Sequence, residues 1–82
     1  MNIGLPDAAW EGVDPTVEAL VDRWLVQEGE TVRRGQPLVT VVLVKTSHDI
    51  GSPADGRLDR ILVAAGHTFQ QGQPLATLEP LP

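Results

Sequence analysis

The sequence predicts an all-β domain, a flattened barrel or sandwich built from two similar halves. Short segments rich in Val, Ile, Leu and Thr are separated by Gly or Pro about every eight to twelve residues, as in small β domains. No segment has a convincing helical pattern. The strongest observation is an internal repeat, in which one segment recurs 37 residues further along the chain.

The repeat aligns Val21 to Val42 with Leu58 to Glu79 without a gap, and 11 of 22 positions are identical. The identical pairs are Asp22/Asp59, Arg23/Arg60, Leu25/Leu62, Val26/Val63, Gly29/Gly66, Thr31/Thr68, Gly35/Gly72, Gln36/Gln73, Pro37/Pro74, Leu38/Leu75 and Thr40/Thr77. Neither copy could bury its apolar face alone, so we expect the two halves to pack on each other about a pseudo-two-fold axis.

Six main strands are expected, each bounded by turn signals. In chain order they are Asn2–Leu5, Glu18–Val26, Leu38–Val44, His48–Ile50, Arg57–Val63 and Leu75–Glu79. The second could be mistaken for part of an amphipathic helix. Its equivalent in the other copy, Arg57–Leu62, directly follows the turn sequence Pro-Ala-Asp-Gly, so the repeat favours a strand in both places.

Glycines mark the turns inside each half. Gly29 and Gly66 follow the first strand of their copies, where a tight reversal needs a positive φ. In the repeated run Gly-Gln-Pro-Leu, glycine turns the chain and proline starts the next strand, where its missing N–H does little harm. Each half is therefore expected to run strand, turn, short strand, turn, strand.

Length and charge limit the classes of function. The 82 residues suffice for one domain, 1–82, and the formal net charge of −5 with six scattered basic residues argues against a nucleic-acid partner. No apolar stretch approaches the roughly 20 residues of a membrane span, and no secretory signal opens the chain. The absence of cysteine fits a reducing compartment. We therefore expect a cytoplasmic protein without nucleic-acid or membrane partners.

Lys45 is the only lysine of the chain, and it lies in the stretch that joins the two copies. It closes the apolar run Leu38–Val44, and since lysine is depleted in buried strands, we expect it at an exposed hairpin tip. The register places Lys45 opposite position 82 and Ala8, so the termini should lie near the other end of the domain. No nucleophile–base pair and no metal-ligand set stands out in the sequence, so Lys45 is interpreted as an attachment point, with no catalytic and no metal residues.

The motifs around Lys45 resemble those of lipoyl domains in the biotinyl/lipoyl carrier family, most of all those of 2-oxo acid dehydrogenase acyltransferases. The resemblance spans nearly the whole chain. Its motifs are the opening Ile3-x-Leu5-Pro6-Asp7, the strand and turn around Trp24, the segment Lys45-Thr46-x-x-Asp49-Ile50-x-Ser52-Pro53-x-x-Gly56, and the second Gly-Gln-Pro-Leu.

The resemblance implies a lipoyl-type barrel-sandwich hybrid whose lysine, Lys45, carries lipoic acid in amide linkage. It implies a non-catalytic swinging arm that shuttles acyl groups and reducing equivalents. The implied partners are a lipoate ligase or lipoyl transferase, a thiamine-dependent decarboxylase, an acyltransferase core and a dihydrolipoyl dehydrogenase.

One departure from the family pattern precedes the lysine. Acidic or small polar residues are usual there, typically in Asp-Lys-Ala, whereas this chain has Val42, Leu43 and Val44, and exposed aliphatics at a tight turn are unusual. Two alternatives stay open. One is an unmodified hammerhead module used for structure or interaction, and the other is a biotin carrier for a carboxylase, although the usual Met-Lys-Met fits Val44 and Thr46 poorly.

Three other residues invite a functional interpretation, and a structural one is favoured for each. His48, three residues after Lys45, is expected to be a half-exposed strand histidine. Trp24 is replaced by isoleucine in the second copy, which favours packing over ligand stacking. Trp10 could cap the sandwich or belong to a loop near the lysine end.

Overall fold

Two four-stranded antiparallel sheets pack face to face in the computed structural model of the protein, which describes residues 1–14 and 16–82. The strands are β1 (Asn2–Ile3), β2 (Ala19–Trp24), β3 (Thr31–Val32), β4 (Pro37–Leu43), β5 (Thr46–Gly51), β6 (Gly56–Ile61), β7 (Thr68–Phe69) and β8 (Ala76–Pro80). The first sheet has the order β1-β8-β6-β3, and the second has the order β5-β4-β2-β7. The all-β fold expected from the sequence is confirmed.

The two halves are related strand by strand, β2 with β6, β3 with β7, and β4 with β8. Hydrogen bonds between the halves repeat reciprocally at the 37-residue spacing. The Gly29 N–H donates to the carbonyl of Leu58 at 2.6 Å, and the Gly66 N–H donates to the carbonyl of Val21 at 2.8 Å. Each half therefore supports the same turn of the other, which is the pseudo-two-fold arrangement expected from the repeat.

The short strands cross between the sheets. β3 belongs to the first copy but pairs with β6 of the second, while β7 belongs to the second copy and pairs with β2 of the first. Each sheet therefore contains strands from both copies, and neither copy completes a sheet by itself. This exchange is the structural reason why the halves depend on each other.

The core is built from repeat-related pairs of apolar side chains. All members of these pairs are at most 5% exposed: Val21 and Leu58, Val26 and Val63, Val32 and Phe69, Leu38 and Leu75, Val39 and Ala76, Val41 and Leu78. Alternation within β2, β4 and β6 directs Val21, Val41 and Leu58 inward and leaves their chain neighbours on the outer faces. The core thus keeps the symmetry, while the outer faces are free to differ.

A β-bulge lies at the same place in each half. The register of β2 against β4 shifts between Val21 and Arg23, and that of β6 against β8 shifts between Leu58 and Arg60. The repeated aspartates, Asp22 and Asp59, are the extra residues at these shifts. The repeated Asp-Arg pairs therefore have the same structural role in both halves, at a bulge that bends the strand.

The structure differs from expectation mainly at strand ends and in the N-terminal segment. The first strand stops at Ile3, and β5 is longer than expected because its pairing with β4 begins at Thr46. Asp7–Trp10 form a 3-10 helix that the sequence pattern does not predict. Among residues 1–14 and 16–82, no helix has both the length and the apolar character needed to cross a membrane.

The two tryptophans have packing roles. Trp10 is 3% exposed and meets Phe69 edge to face, with ring centroids 6.2 Å apart. Trp24 is half-buried, and its indole N–H donates to the carbonyl of Val63 at 2.9 Å. Trp10 therefore caps the core, and Trp24 joins the two halves.

Candidate functional site

A two-residue loop between β4 and β5 carries Lys45. The strands pair in register from Val39 opposite Ile50 to Leu43 opposite Thr46, which leaves Val44 and Lys45 alone at the tip. Both loop residues are exposed. The apolar run before the lysine thus forms a regular strand up to Leu43, and the primary amine extends from the end of a rigid hairpin.

Val44 supplies the backbone conformation that so short a loop requires. Its φ is +60°, and among residues 1–14 and 16–82 it is the only non-glycine with a positive φ. Two-residue hairpins use type I′ or II′ turns, whose first loop residue has a positive φ and is usually Gly, Asn or Asp. A β-branched residue in this conformation is strained, so the lysine sits next to a strained backbone.

The aliphatic run before Lys45 divides between two faces. Leu43 faces the core and is 3% exposed, Val42 is half-buried on the outer face, and Val44 is 65% exposed. The expectation that all three aliphatic residues before Lys45 are exposed is therefore wrong for Leu43, because strand alternation continues to the last paired residue. One of the three belongs to the core, and two are left at the surface.

The hairpin is held by contacts that involve the motif residues after Lys45. The hydroxyl of Thr40 on β4 donates to the carboxylate of Asp49 on β5 at 2.8 Å. Ile50 is 7% exposed in the core, and the buried hydroxyl of Ser52 donates to the carbonyl of Ala54 at 2.7 Å, which stabilises the turn into β6. These residues fix the position of the hairpin that carries the lysine.

The C-terminal end of the chain lies at the other end of this hairpin. The N–H of Leu81 donates to the carbonyl of Asp55, and the N–H of Arg34 donates to its carboxylate. Arg34 lies in the turn just before β4, which begins at Pro37, so these contacts lie near the end of the hairpin where Pro37 pairs with Gly51. At about 3.3 Å per strand residue, roughly 20 Å separate this end of β4 from the loop with Lys45.

His48 lies on the inner side of the edge strand β5, away from the outer face of its sheet. It is half-buried and lines an apolar groove of about 450 Å³ together with Ile3, Leu5 and Ile50. No group of three His, Cys, Asp or Glu side chains suited to a metal occurs in the described part of the chain. The reactive group of the site is therefore the exposed side-chain amine of Lys45.

Leu20 adjoins the site and was not singled out in the sequence. It lies on the outer face of β2, directly opposite Val42 of β4, and is 39% exposed. With Val44 these residues form what we call the apolar patch: Leu20, Val42 and Val44. Leu20 and Val42 lie on the outer face of the second sheet, and Val44 lies in the adjoining loop next to Lys45. The sequence signal of the patch is the 37-residue register, because position 20 corresponds to a charged residue, Arg57.

Comparison with known families gives a match over most of the chain. A family model for biotin and lipoyl attachment domains, described as "Biotin-requiring enzyme", matches residues 3–78. The match includes the hairpin with Lys45, the whole first copy of the repeat and the second copy up to Leu78.

Curated relatives and a solved structure agree with this match. Over 43 residues, 52% of this chain, the sequence is 46% identical to the dihydrolipoyllysine-residue acetyltransferase component of the pyruvate dehydrogenase complex from Mycobacterium bovis and from Mycobacterium tuberculosis. The match spans 8% of the length of each of these relatives. The lipoyl domain of the 2-oxoglutarate dehydrogenase complex from Azotobacter vinelandii superimposes with a TM-score of 0.72 at 26% identity, covering 80% of this chain and 84% of that one.

Proposed function

The chain belongs to the biotin and lipoyl attachment family, and on this premise we propose that Lys45 carries a covalently attached lipoic acid. The family implies a covalent lipoyl or biotin group, and its lipoyl-domain fold is that of a non-catalytic carrier. The observation that supports Lys45 is its position: the only lysine of the sequence is exposed in a two-residue loop at one end of a rigid hairpin.

The surroundings of Lys45 fit an attached arm. An amide bond to a lysine amine requires an activated carboxylate, because a free carboxylate does not react with an amine, and an enzyme that can approach the amine from outside. A hairpin tip is open to such an approach, whereas an amine within a sheet would be shielded by its neighbours. The paired strands behind the tip then hold the base of the arm in one place.

Lipoic acid is favoured over biotin by three observations. The Azotobacter vinelandii domain that superimposes on the chain is a lipoyl domain, and the curated relatives reported above are named as dihydrolipoyllysine-residue acetyltransferases. Val44 and Thr46, which flank the lysine, do not match the methionines usual beside the lysine of biotin carriers.

The carrier would serve a 2-oxo acid dehydrogenase complex. Its lipoyl group supplies a disulfide that accepts an acyl group together with two electrons. The proposed partners are a lipoate ligase or lipoyl transferase, a thiamine-dependent decarboxylase, an acyltransferase core and a dihydrolipoyl dehydrogenase. The location of the C-terminal end, roughly 20 Å from the Lys45 loop along β4, leaves the arm end of the domain free for these partners.

Intact mass tests the attachment. The purified protein is incubated with a lipoate ligase, lipoate and ATP, and in parallel with a biotin protein ligase, biotin and ATP. We expect a gain of one lipoyl group per chain in the first reaction and no gain in the second. The matched control is Lys45→Arg, which keeps the charge, removes the only side-chain primary amine and should show no gain.

Each other result has a definite meaning. A biotin gain that Lys45→Arg abolishes would assign the chain as a biotin carrier for a carboxylase. No gain from either ligase, with a folded protein, would support the unmodified interaction module. A lipoyl gain that persists in Lys45→Arg would show that Lys45 is not the attachment site.

A further inference from the structure

We propose that the apolar patch of Leu20, Val42 and Val44 is the surface that the lipoate-attaching enzyme contacts when it modifies Lys45. The inference rests on the proposed function and adds a recognition surface to it. The two sheets are related by the repeat, but their outer faces differ at the position of this patch.

The duplication supplies an internal reference for this surface. Leu20 and Val42 lie directly opposite each other on β2 and β4, and their equivalents 37 residues later are Arg57 and Glu79, directly opposite each other on β6 and β8. Arg57 and Glu79 form an exposed salt bridge of 2.8 Å. One cross-strand position is therefore apolar on the sheet that bears Lys45 and charged on the other sheet.

The strands next to β2 and β6, which are β7 and β3, are also equivalent by the repeat. Thr68 of β7 lies opposite Leu20, and Thr31 of β3 lies opposite Arg57. On this side the backbone surroundings match, whereas on the other side Val42 lies opposite Ser47 of β5 and β1 pairs only with Ala76 and Thr77 of β8. The ion pair of the second half shows that the cross-strand position itself accommodates charged side chains. Packing within the fold therefore does not explain why the pair beside Lys45 is apolar. An exposed apolar cluster of this kind is typical of a contact surface.

The position of the patch indicates which partner uses it. Before modification, the amine of Lys45 stands on a four-carbon stem only, so an enzyme that acylates it must bring its active site close to the hairpin. Val42 and Leu20 form the last cross-strand pair on the outer face before the tip, and Val44 directly precedes the lysine. An enzyme reaching the amine would therefore cover the patch.

The charges around the patch define the partner further. The carboxylate of Glu18 is held by the hydroxyl of Thr68 at 3.0 Å on one side, and that of Asp49 is held by Thr40 on the other. The chain as a whole has a formal net charge of −5. The expected partner surface is apolar at its centre with Lys or Arg at its edge, which would also speed association.

The experiment transplants the charged pair of one face onto the other. Leu20→Arg combined with Val42→Glu places the ion pair of the second half beside Lys45, and lipoate incorporation is followed by intact mass at several protein concentrations. We expect the KM for the domain to rise by at least about tenfold with little change in kcat, because two aliphatic contacts are lost from binding. Circular dichroism and thermal unfolding monitor the fold.

The matched control is the reverse exchange on the far face, Arg57→Leu with Glu79→Val, which should keep the wild-type KM. If the charged variant fails to fold, Leu20→Thr with Val42→Thr replaces it, since threonine retains strand preference without the apolar surface. The same rise in KM is expected for that variant.

Three results would count against the inference. A folded patch variant with the wild-type KM would overturn it directly. If the patch variant accepts lipoate normally but is then acylated poorly by the decarboxylase, the patch would be a contact surface for the decarboxylase. That result would refute the assignment made here. If the wild-type chain accepts no lipoate at all, the proposed function fails first, and that result is distinguishable because it does not depend on the variants.

Discussion

Val44, which directly precedes Lys45, combines a strained backbone conformation with an exposed apolar side chain. A two-residue loop needs a positive φ at its first position, and this chain meets the need with a β-branched residue at +60°. Glycine or asparagine would adopt the same conformation with less strain. Val44 is also the most exposed member of the apolar patch, at 65%. A valine in this strained conformation fits a role for its side chain at the surface.

Val44→Gly should raise the stability of the protein. Relief of the strain at φ +60° outweighs the entropy that glycine adds to the unfolded chain, and we expect the free energy of unfolding to increase by about 1 kcal/mol. Urea denaturation measures the change. The matched control is Val42→Gly, two residues earlier in the regular part of β4, which should lower stability by about 1 kcal/mol. A loss of stability in Val44→Gly would contradict the strain argument.

At the scale of elements, the bulges and turns of the two halves agree closely, but one contact is special to the second half. Gly56 begins β6 and lies opposite Pro80 of β8. A Cβ built at Gly56 would overlap the carbonyl oxygen of Glu79. The equivalent residue of the first half is Ala19, which is buried, so the first half accommodates a Cβ where the second half cannot.

Gly56→Ala should therefore destabilise the protein. The overlap is with backbone rather than with a flexible side chain, so strand β8 must shift, and we expect a loss of about 1–3 kcal/mol in the free energy of unfolding. The matched control is Gly4→Ala, where the nearest atom to an added Cβ is the carbonyl oxygen of Gln73 at 3.5 Å, an ordinary contact. Thermal unfolding of both variants checks the prediction, and equal stabilities would refute it.

The repeat made the elements largely predictable from the sequence. A strand that alone resembled a helix, Ala19–Trp24, was assigned through its copy, and the short strands between glycine turns followed from the same comparison. The repeat does not predict the position of Trp10, because the 3-10 helix around it has no equivalent in the other copy. Its burial against Phe69 depends on a tertiary contact that no local pattern encodes.

At the scale of the whole molecule, the duplication keeps the interior symmetric and allows the two outer faces to diverge. The sequence indicated that the halves pack together, but not that β3 and β7 exchange sheets, because strand pairing depends on contacts distant in sequence. The patch beside Lys45 is not predictable from sequence identity, since Leu20 precedes the segment with clear identity. The strand pairing shows it, because Leu20 lies opposite Val42 where the other sheet has Arg57 opposite Glu79.

The same arrangement separates the two ends of the molecule. The loop with Lys45 closes β4 and β5, while Leu81 binds Asp55 beyond their other end. A domain attached through its C-terminal side would therefore hold its arm away from the attachment.

Tryptic peptide mapping of the protein isolated from its own cells tests the central claim most directly. Between Arg34 and Arg57 the only tryptic site is Lys45, and trypsin does not cleave after a lysine whose amine is in an amide bond. We predict an uncleaved peptide of residues 35–57 that carries the mass of one lipoyl group, located on Lys45 by fragmentation. Complete cleavage into unmodified peptides 35–45 and 46–57 would contradict the assignment of Lys45 as the lipoyl-bearing residue.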